Sequence, residues 1–157
     1  MPIRPFQIGD IHPITELVHA TNVFRNEEID VAVELMEVVA KNPNQKDYVI
    51  YTYVDDHGEV QGYYCVGPTP MTVSTFDLYW IATHPRVHGK GIGYQLLAHS
   101  EQVMKSMGCS LIMVETSSLP KYEATRTFYL RNNYSEVNRI ANYYAPGDDL
   151  VVYTKYI

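Results

Sequence analysis

The sequence is short of cysteine, of positive charge and of long apolar runs, and each shortage closes off a class of protein. Its two cysteines, Cys65 and Cys109, fall in or beside strand-forming runs and have no paired spacing. That argues against a disulfide frame or a thiolate metal site and for reduced, buried thiols. Lysine and arginine number 12 against 18 aspartates and glutamates, a formal net charge of -6, and they cluster no further than isolated pairs. A phosphate-contacting surface needs a basic patch, so no nucleic-acid partner is expected. No apolar stretch approaches the roughly 18 residues of a membrane span. The opening Met1-Pro2-Ile3-Arg4-Pro5 also lacks the apolar core of a signal peptide. The expectation is one cytoplasmic domain over residues 1–157, with no membrane partner and enough chain to bury a real core.

What the chain does have is an alternation of helix and strand patterns. Ile3 to Gln7 reads as a short edge strand interrupted by proline, and Asp10 then offers an N-cap to a helix carrying Ile14, Leu17 and Val18. Asn26 offers a second cap before Glu27 and Glu28, and Ile29, Val33, Met36 and Ala40 follow at helical spacing until Asn42-Pro43. Tyr48–Val54 and Val60–Val66 are β-rich runs joined by a hairpin at Asp55-Asp56-His57-Gly58. A strand from Thr75 to Thr83 leads into a glycine-rich turn, after which Ile92, Leu96, Val103 and Met107 form a helical stripe that stops at Gly108. Leu111 to Val114 suits a strand covered on both faces, and Tyr122 to Leu130 suits a helix. Two closing strands, Tyr134 to Tyr144 and Leu150 to Ile157, flank the turn Pro146-Gly147-Asp148-Asp149.

The turn His88-Gly89-Lys90-Gly91-Ile92-Gly93 carries the most chemistry. A glycine-rich passage from strand to helix exposes backbone N–H groups at the positive end of the helix dipole, which suits a pyrophosphate. A dinucleotide fingerprint needs a third glycine where Tyr94 or Leu96 stands, and a nucleotide-triphosphate loop needs a Gly-Lys-Ser/Thr frame that Lys90 lacks. Three glycines alone also fit a plain strand-to-helix turn. What remains is the pattern Gln or Arg, two residues, Gly, one residue, Gly or Ala. With His88 in its first place, this loop resembles the pyrophosphate loop of the GNAT family of acetyl-coenzyme A dependent N-acetyltransferases.

Further segments are similar to the same family: DLYWIATHP to its fourth strand, HGKGIGYQLL to its third helix, LIMVETSS to its fifth strand and TRTFYLRNNY to the helix after it. The resemblance covers most of residues 45–157. It implies an α/β (α+β) fold, a single GNAT domain with a central mixed, mostly antiparallel sheet of about six or seven strands flanked by about four helices. It also implies acetyl-coenzyme A as co-substrate, an amine acceptor on a small molecule or a peptide, and a possible homodimer. By resemblance, the backbone of Ile81, Ala82 and Thr83 pairs with the pantetheine arm, and His88, Gly89, Lys90, Gly91, Ile92 and Gly93 hold the pyrophosphate. Tyr122 stands where family members often place an asparagine beside the cofactor. Asn133 replaces the usual glycine after the helix and tolerates a left-handed backbone.

The reaction defines the remaining candidates. An amine of pKa about 10.4 must lose a proton before it attacks a thioester. Asp77 and Glu115 are the candidate bases, because the two strands that carry them are expected to meet beside the cofactor; Asp77 also reads as a strand-edge charge, and water is an alternative relay. The departing thiolate needs a hydrogen bond or a proton. Tyr129 stands where the family commonly places a tyrosine near the coenzyme A sulfur, and a phenol donates without carrying charge. His84 and His88 are four apart, but Pro85 lies between them and no glutamate adjoins His84, so no metal is expected. Tyr143, Tyr144, Asp148 and Asp149 suit a small cationic or amino-acid-like acceptor, and equally a tight turn. A non-catalytic module that binds or senses acetyl-coenzyme A is the alternative to an enzyme.

Overall fold

Where apolar residues alternate or run together, the chain forms one sheet, and where they recur at helical spacing it forms the two layers that cover it. The structure, a computed structural model, describes residues 2–157. Its strands are β1 (Ile3–Pro5), β2 (Val49–Val54), β3 (Val60–Pro68), β4 (Thr75–Thr83), β5 (Leu111–Ser117), β6 (Ser135–Ala145) and β7 (Asp148–Tyr156). Its helices are α1 (Ile11–Ala20), α2 (Asn26–Lys41), α3 (Ile92–Ser106) and α4 (Glu123–Arg131). The seven strands lie in the order β1-β2-β3-β4-β5-β7-β6. All pairs are antiparallel except β4 and β5, which α3 connects as a parallel crossover. The expected mixed, mostly antiparallel sheet with four helices is therefore observed.

Two apolar clusters hold the layers. Ile14, Leu17, Val18, Ile29 and Met36 of α1 and α2 pack with Ile50, Tyr63 and Cys65 on one face. Leu96, Leu97 and Met104 of α3 pack with Tyr64, Val66, Leu78 and Ile112 on the other, joined by Tyr129 and Tyr153. Cys65 and Cys109 are both free and buried. Among the described residues no helix is long and apolar enough to cross a membrane.

Several local expectations are corrected. Strand β1 ends at Pro5, short of Gln7. Asp10 makes no side-chain cap for α1; it is buried and accepts two bonds from the Arg4 guanidinium, at 2.8 and 2.9 Å, one from the Thr52 hydroxyl, and one from the Gln7 N–H that closes a 3-10 turn, Ile8–Asp10, ahead of the helix. A carboxylate that can reach a guanidinium across the sheet edge gains more there than at a helix end. Helix α2 is capped at Arg25, whose N–H donates to Glu28 at 3.2 Å, and Asn26 is its first helical residue. Strand β5 runs on to Ser117 and buries Ile112 and Val114 on one face, while Glu115 on the other face is exposed. A short 3-10 turn, Pro120–Tyr122, precedes α4.

Candidate active site

The site begins where two neighbouring strands part. Strands β4 and β5 pair only over Thr75–Asp77 with Leu111–Met113, although both continue, to Thr83 and Ser117. The cause lies on the other edge of β4. Its register with β3 shifts between Cys65↔Trp80 and Val66↔Leu78, so Tyr79 is an extra, bulged residue. A bulge bends and twists its strand, and here it carries the far half of β4 away from β5.

Beyond the bulge the ladder to β3 resumes, and its alternation decides which backbone groups are free. The His84 N–H donates to Gln61 at 2.8 Å, so His84, Ala82 and Trp80 face β3 while Thr83 and Ile81 present their N–H and C=O groups to the opening. Ala82 lines the cleft, but its backbone is engaged with Tyr63. Pro85 cannot continue the ladder.

The opening leads into a cleft of about 1000 Å³ between the end of β4, the glycine turn and α4. His88, Gly89, Gly91, Ile92 and Gly93 line it, opposite Phe128 and Arg131. Gly89 and Gly91 have φ of +79° and +78°, a left-handed backbone that glycine alone adopts readily. Among the described residues their N–H groups donate to nothing, and those of Ile92, Gly93 and Tyr94 belong to the first turn of α3, where helices leave donors unpaired. Five amides thus converge at a positive helix end, with Arg131 and Lys121 as cations on the facing wall. Lys90 falls outside this lining; its N–H is engaged by Val87 at 3.3 Å. The His88 ring turns back to the carbonyl of Thr83, at 3.3 Å.

A smaller pocket, about 180 Å³, adjoins the cleft and shares Phe24, Ile81, Lys121 and Thr125 with it. Tyr129, Glu115, Tyr122, Tyr144 and Asp148 line it. Tyr129 is fixed by the end of its own helix. The Tyr134 N–H donates to Tyr129 and the Asn133 N–H to Leu130, a Schellman closure that requires the φ of +69° found at Asn133. This closure sets the Tyr134 ring 5.6 Å from that of Tyr129, tilted at 57° to it. Tyr129 is only 4% exposed, yet its hydroxyl bonds to no described residue and is not sealed from solvent, so it opens into the pocket. Arg126 holds the turn after β5 by donating to Ser117 and Leu119, at 2.8 and 2.9 Å.

The two candidate bases separate. Glu115 lines the pocket, whereas Asp77 lines neither space, lies in the paired base of the β4–β5 ladder and accepts a 2.8 Å bond from Thr69. Although Glu115 is exposed, partial loss of solvation and, after it, the nearby charge of Asp77 push its carboxyl above the usual range. Burial, then Tyr153, pushes the Tyr129 phenol upward, so it stays a neutral donor at physiological pH. Tyr122 departs from its expected place. It lines the smaller pocket, not the large cleft, and its hydroxyl points to Val23 and Glu28, at 3.4 Å each. Phe24, Arg25 and Glu28 also reach the pocket from the α1–α2 segment, and no local sequence signal marks them.

Comparison with known proteins agrees with this geometry. The sequence model of the acetyltransferase (GNAT) domain matches residues 46–136. A crystal structure assigned to the GNAT acetyltransferases, from Desulfovibrio desulfuricans, is 34% identical with a TM-score of 0.93, covering 98% of this chain and 97% of that one. PaiA N-acetyltransferase from Thermoplasma acidophilum, solved with coenzyme A, is 17% identical with a TM-score of 0.77 over 99% of this chain and 98% of its own. An aminoglycoside 6'-N-acetyltransferase, also complexed with coenzyme A, is 17% identical with a TM-score of 0.78 over 99% and 97%. No curated protein matches the sequence.

Proposed function

Because the chain belongs to the GNAT acetyltransferase family and is thereby an acyltransferase, we propose that it moves an acetyl group from acetyl-coenzyme A to a primary amine, by direct attack in a ternary complex. The observation that carries this reading is the junction of the two spaces at Ile81. An anion-binding cleft with free strand amides meets, through that junction, a pocket holding a carboxylate and an unpartnered phenol.

The donor fits the cleft on the strength of its unpartnered groups. The amides of Gly89, Gly91 and the first turn of α3, with Arg131 and Lys121, would hold its phosphates, and the N–H and C=O groups of Ile81 with the N–H of Thr83 would pair with its amide-bearing arm. It supplies a thioester activated toward amines. In the transfer an N–C bond forms as the C–S bond breaks. Glu115, directly or through water, takes the amine proton, and its raised affinity for protons makes it a better base than an ordinary carboxylate. A strand N–H such as that of Ile81 stabilises negative charge on the carbonyl oxygen. Tyr129 donates a hydrogen bond to the departing sulfur. Because a buried phenol is a weaker acid than a thiol of pKa about 8.5, the sulfur's final proton comes from solvent.

Direct attack is favoured over an acetylated protein intermediate by the state of the thiols. Burial pushes Cys65 up to about 12, and neither cysteine lines the cleft or the pocket. The two buried thiols also suit a cytoplasmic setting. Initial rates measured over both substrate concentrations test the order of events. Intersecting lines are expected; parallel lines, with an acetylated protein seen by mass spectrometry, would overturn direct attack.

A further inference from the structure

The smaller pocket carries more carboxylate than acetyl transfer needs. One base suffices for the attacking amine, yet Glu28, Glu115 and Asp148 all line the space. Their charges are unequally matched. Glu28 pairs with Arg25 at 3.1 Å, so these two cancel. Lys121 stands on the wall shared with the large cleft, its ammonium 5.7 Å above the Tyr122 ring. Glu115 and Asp148 have no cation within ion-pair distance among the described residues, and neither does Asp77 behind Glu115. Among the described residues the Asp148 carboxylate accepts a side-chain bond from the hydroxyl of Ser117 alone.

A ring is set beside these carboxylates by a departure from regular pairing. The β6–β7 register slips between Ile140 and Ala145, and Asn142 adopts a φ of +60°. The slip is locked by bonds from the Asn142 N–H to Asp149 and from the Gly147 N–H to the Asn142 side chain, each 2.9 Å. The bulged segment presents Tyr144 to the pocket, braced edge-on by Tyr143 at 5.0 Å. Glu28, Glu115 and Asp148 line the same small pocket as the Tyr144 ring, and burial first, then Glu115, Tyr143, Asp148 and Glu28, push the Tyr144 phenol up to about 12. Aromatic faces beside unpaired carboxylates bind ammonium groups. Independently, Tyr129, a side chain only 4% exposed, lines the same space with a hydroxyl that bonds to no described residue. At about 180 Å³ the pocket is smaller than the roughly 300–1000 Å³ of drug-sized sites, so its occupant is short.

We infer that the acceptor is a short aliphatic diamine, one nitrogen reacting beside Glu115 and Tyr129 while the second, still an ammonium, is held by Asp148 and the ring of Tyr144. This rests on the acetyltransferase reading above. An amino acid fits less well, because its carboxylate would face Glu115 and Asp148 while Arg25 is already neutralised by Glu28.

Three acceptors of equal chain length test it: putrescine, butylamine and γ-aminobutyrate, which end in an ammonium, a methyl and a carboxylate. Thiol release by the full chain with acetyl-coenzyme A is measured for each, beside a broad panel of other amines and peptides. Putrescine should exceed butylamine in kcat/KM by about tenfold or more, the scale of one hydrogen-bonded charge, with γ-aminobutyrate last and the preference shrinking as salt is added. Asp148→Asn keeps a partner for Ser117 and should bring the putrescine-to-butylamine ratio toward one. Tyr144→Leu, on a strand exposed throughout, should lower it as well. Thiol release without a preference for putrescine, or a ratio unmoved by both variants, overturns the inference and leaves acetyl transfer standing. No release with any amine overturns both.

Discussion

Replacing Gly93 isolates the anion-binding role of the turn from its role in folding. Its φ is not left-handed, and a Cβ built there would stand 3.6 and 3.7 Å from the Phe128 ring, ordinary contact distances. Alanine in the first turn of α3 should therefore fit, and removing a helical glycine should raise stability by about 0.5–1 kcal/mol. Valine adds two methyl groups on the wall of the cleft, beside the amides that face it. If a phosphate is thereby held off one N–H, the loss is that of a hydrogen bond to a charged group, about 1.5–3 kcal/mol, or about 10- to 150-fold in Kd. Gly91→Val is a poorer probe, since its φ of +78° costs a branched residue about 1–2 kcal/mol whatever binds there. Calorimetric titration of Gly93→Val with coenzyme A, beside its thermal unfolding, reads both quantities. A folded Gly93→Val protein with wild-type affinity would refute the assignment of the turn.

Tyr129→Phe keeps the packing against Tyr134 and Tyr153 and should lower kcat about 10- to 150-fold with little change in coenzyme A affinity; equal kcat where chemistry limits turnover removes the phenol from the reaction. Glu115→Gln should lower kcat/KM by about 10² or more and abolish a rate limb that rises with pH above the usual carboxylate range. The folded state raises that carboxyl's pKa, so its contribution to stability is largest at low pH and declines as pH rises through the folded value. Glu115→Gln should thus be at least as stable as wild type at neutral pH, and a clear loss of stability there would contradict the cause given for the shift. Tyr63→Phe removes a buried hydroxyl that has no partner among the described residues, so denaturant unfolding should show a gain of about 1 kcal/mol with activity unchanged; a loss would mean that the hydroxyl is satisfied.

Features set by near neighbours in the chain were legible in the sequence. The periodicities give the order of strands and helices, Gly91 in its left-handed conformation follows from the turn's composition, and Asn133 takes the backbone expected where relatives carry glycine. Features set by distant partners were not. Asp10 has the form of a cap, but Arg4 and Thr52 come within reach only when β1 and β2 pair. The divergence of β4 from β5 depends on a register slip at Tyr79 that no composition reveals. Phe24 and Glu28 reach the pocket from the opposite end of the sequence to Tyr144 and Asp148. For the last pair the choice between a tight turn and an acceptor wall was a false one. Pro146 and Gly147 make the turn, and the slipped register beside it sets Tyr144 and Asp148 on the wall.

The central claim is that a bound thioester is turned over onto nitrogen, and product stoichiometry tests it most directly. The wild-type chain is incubated with acetyl-coenzyme A and a panel of amines, free thiol is titrated and the acetylated amine is quantified by mass spectrometry. One acetylated amine for each thiol released, with both signals falling together in Glu115→Gln, is the predicted result. Tight coenzyme A binding with no thiol released on any amine would contradict it and leave a module that binds or senses acetyl-coenzyme A without turning it over.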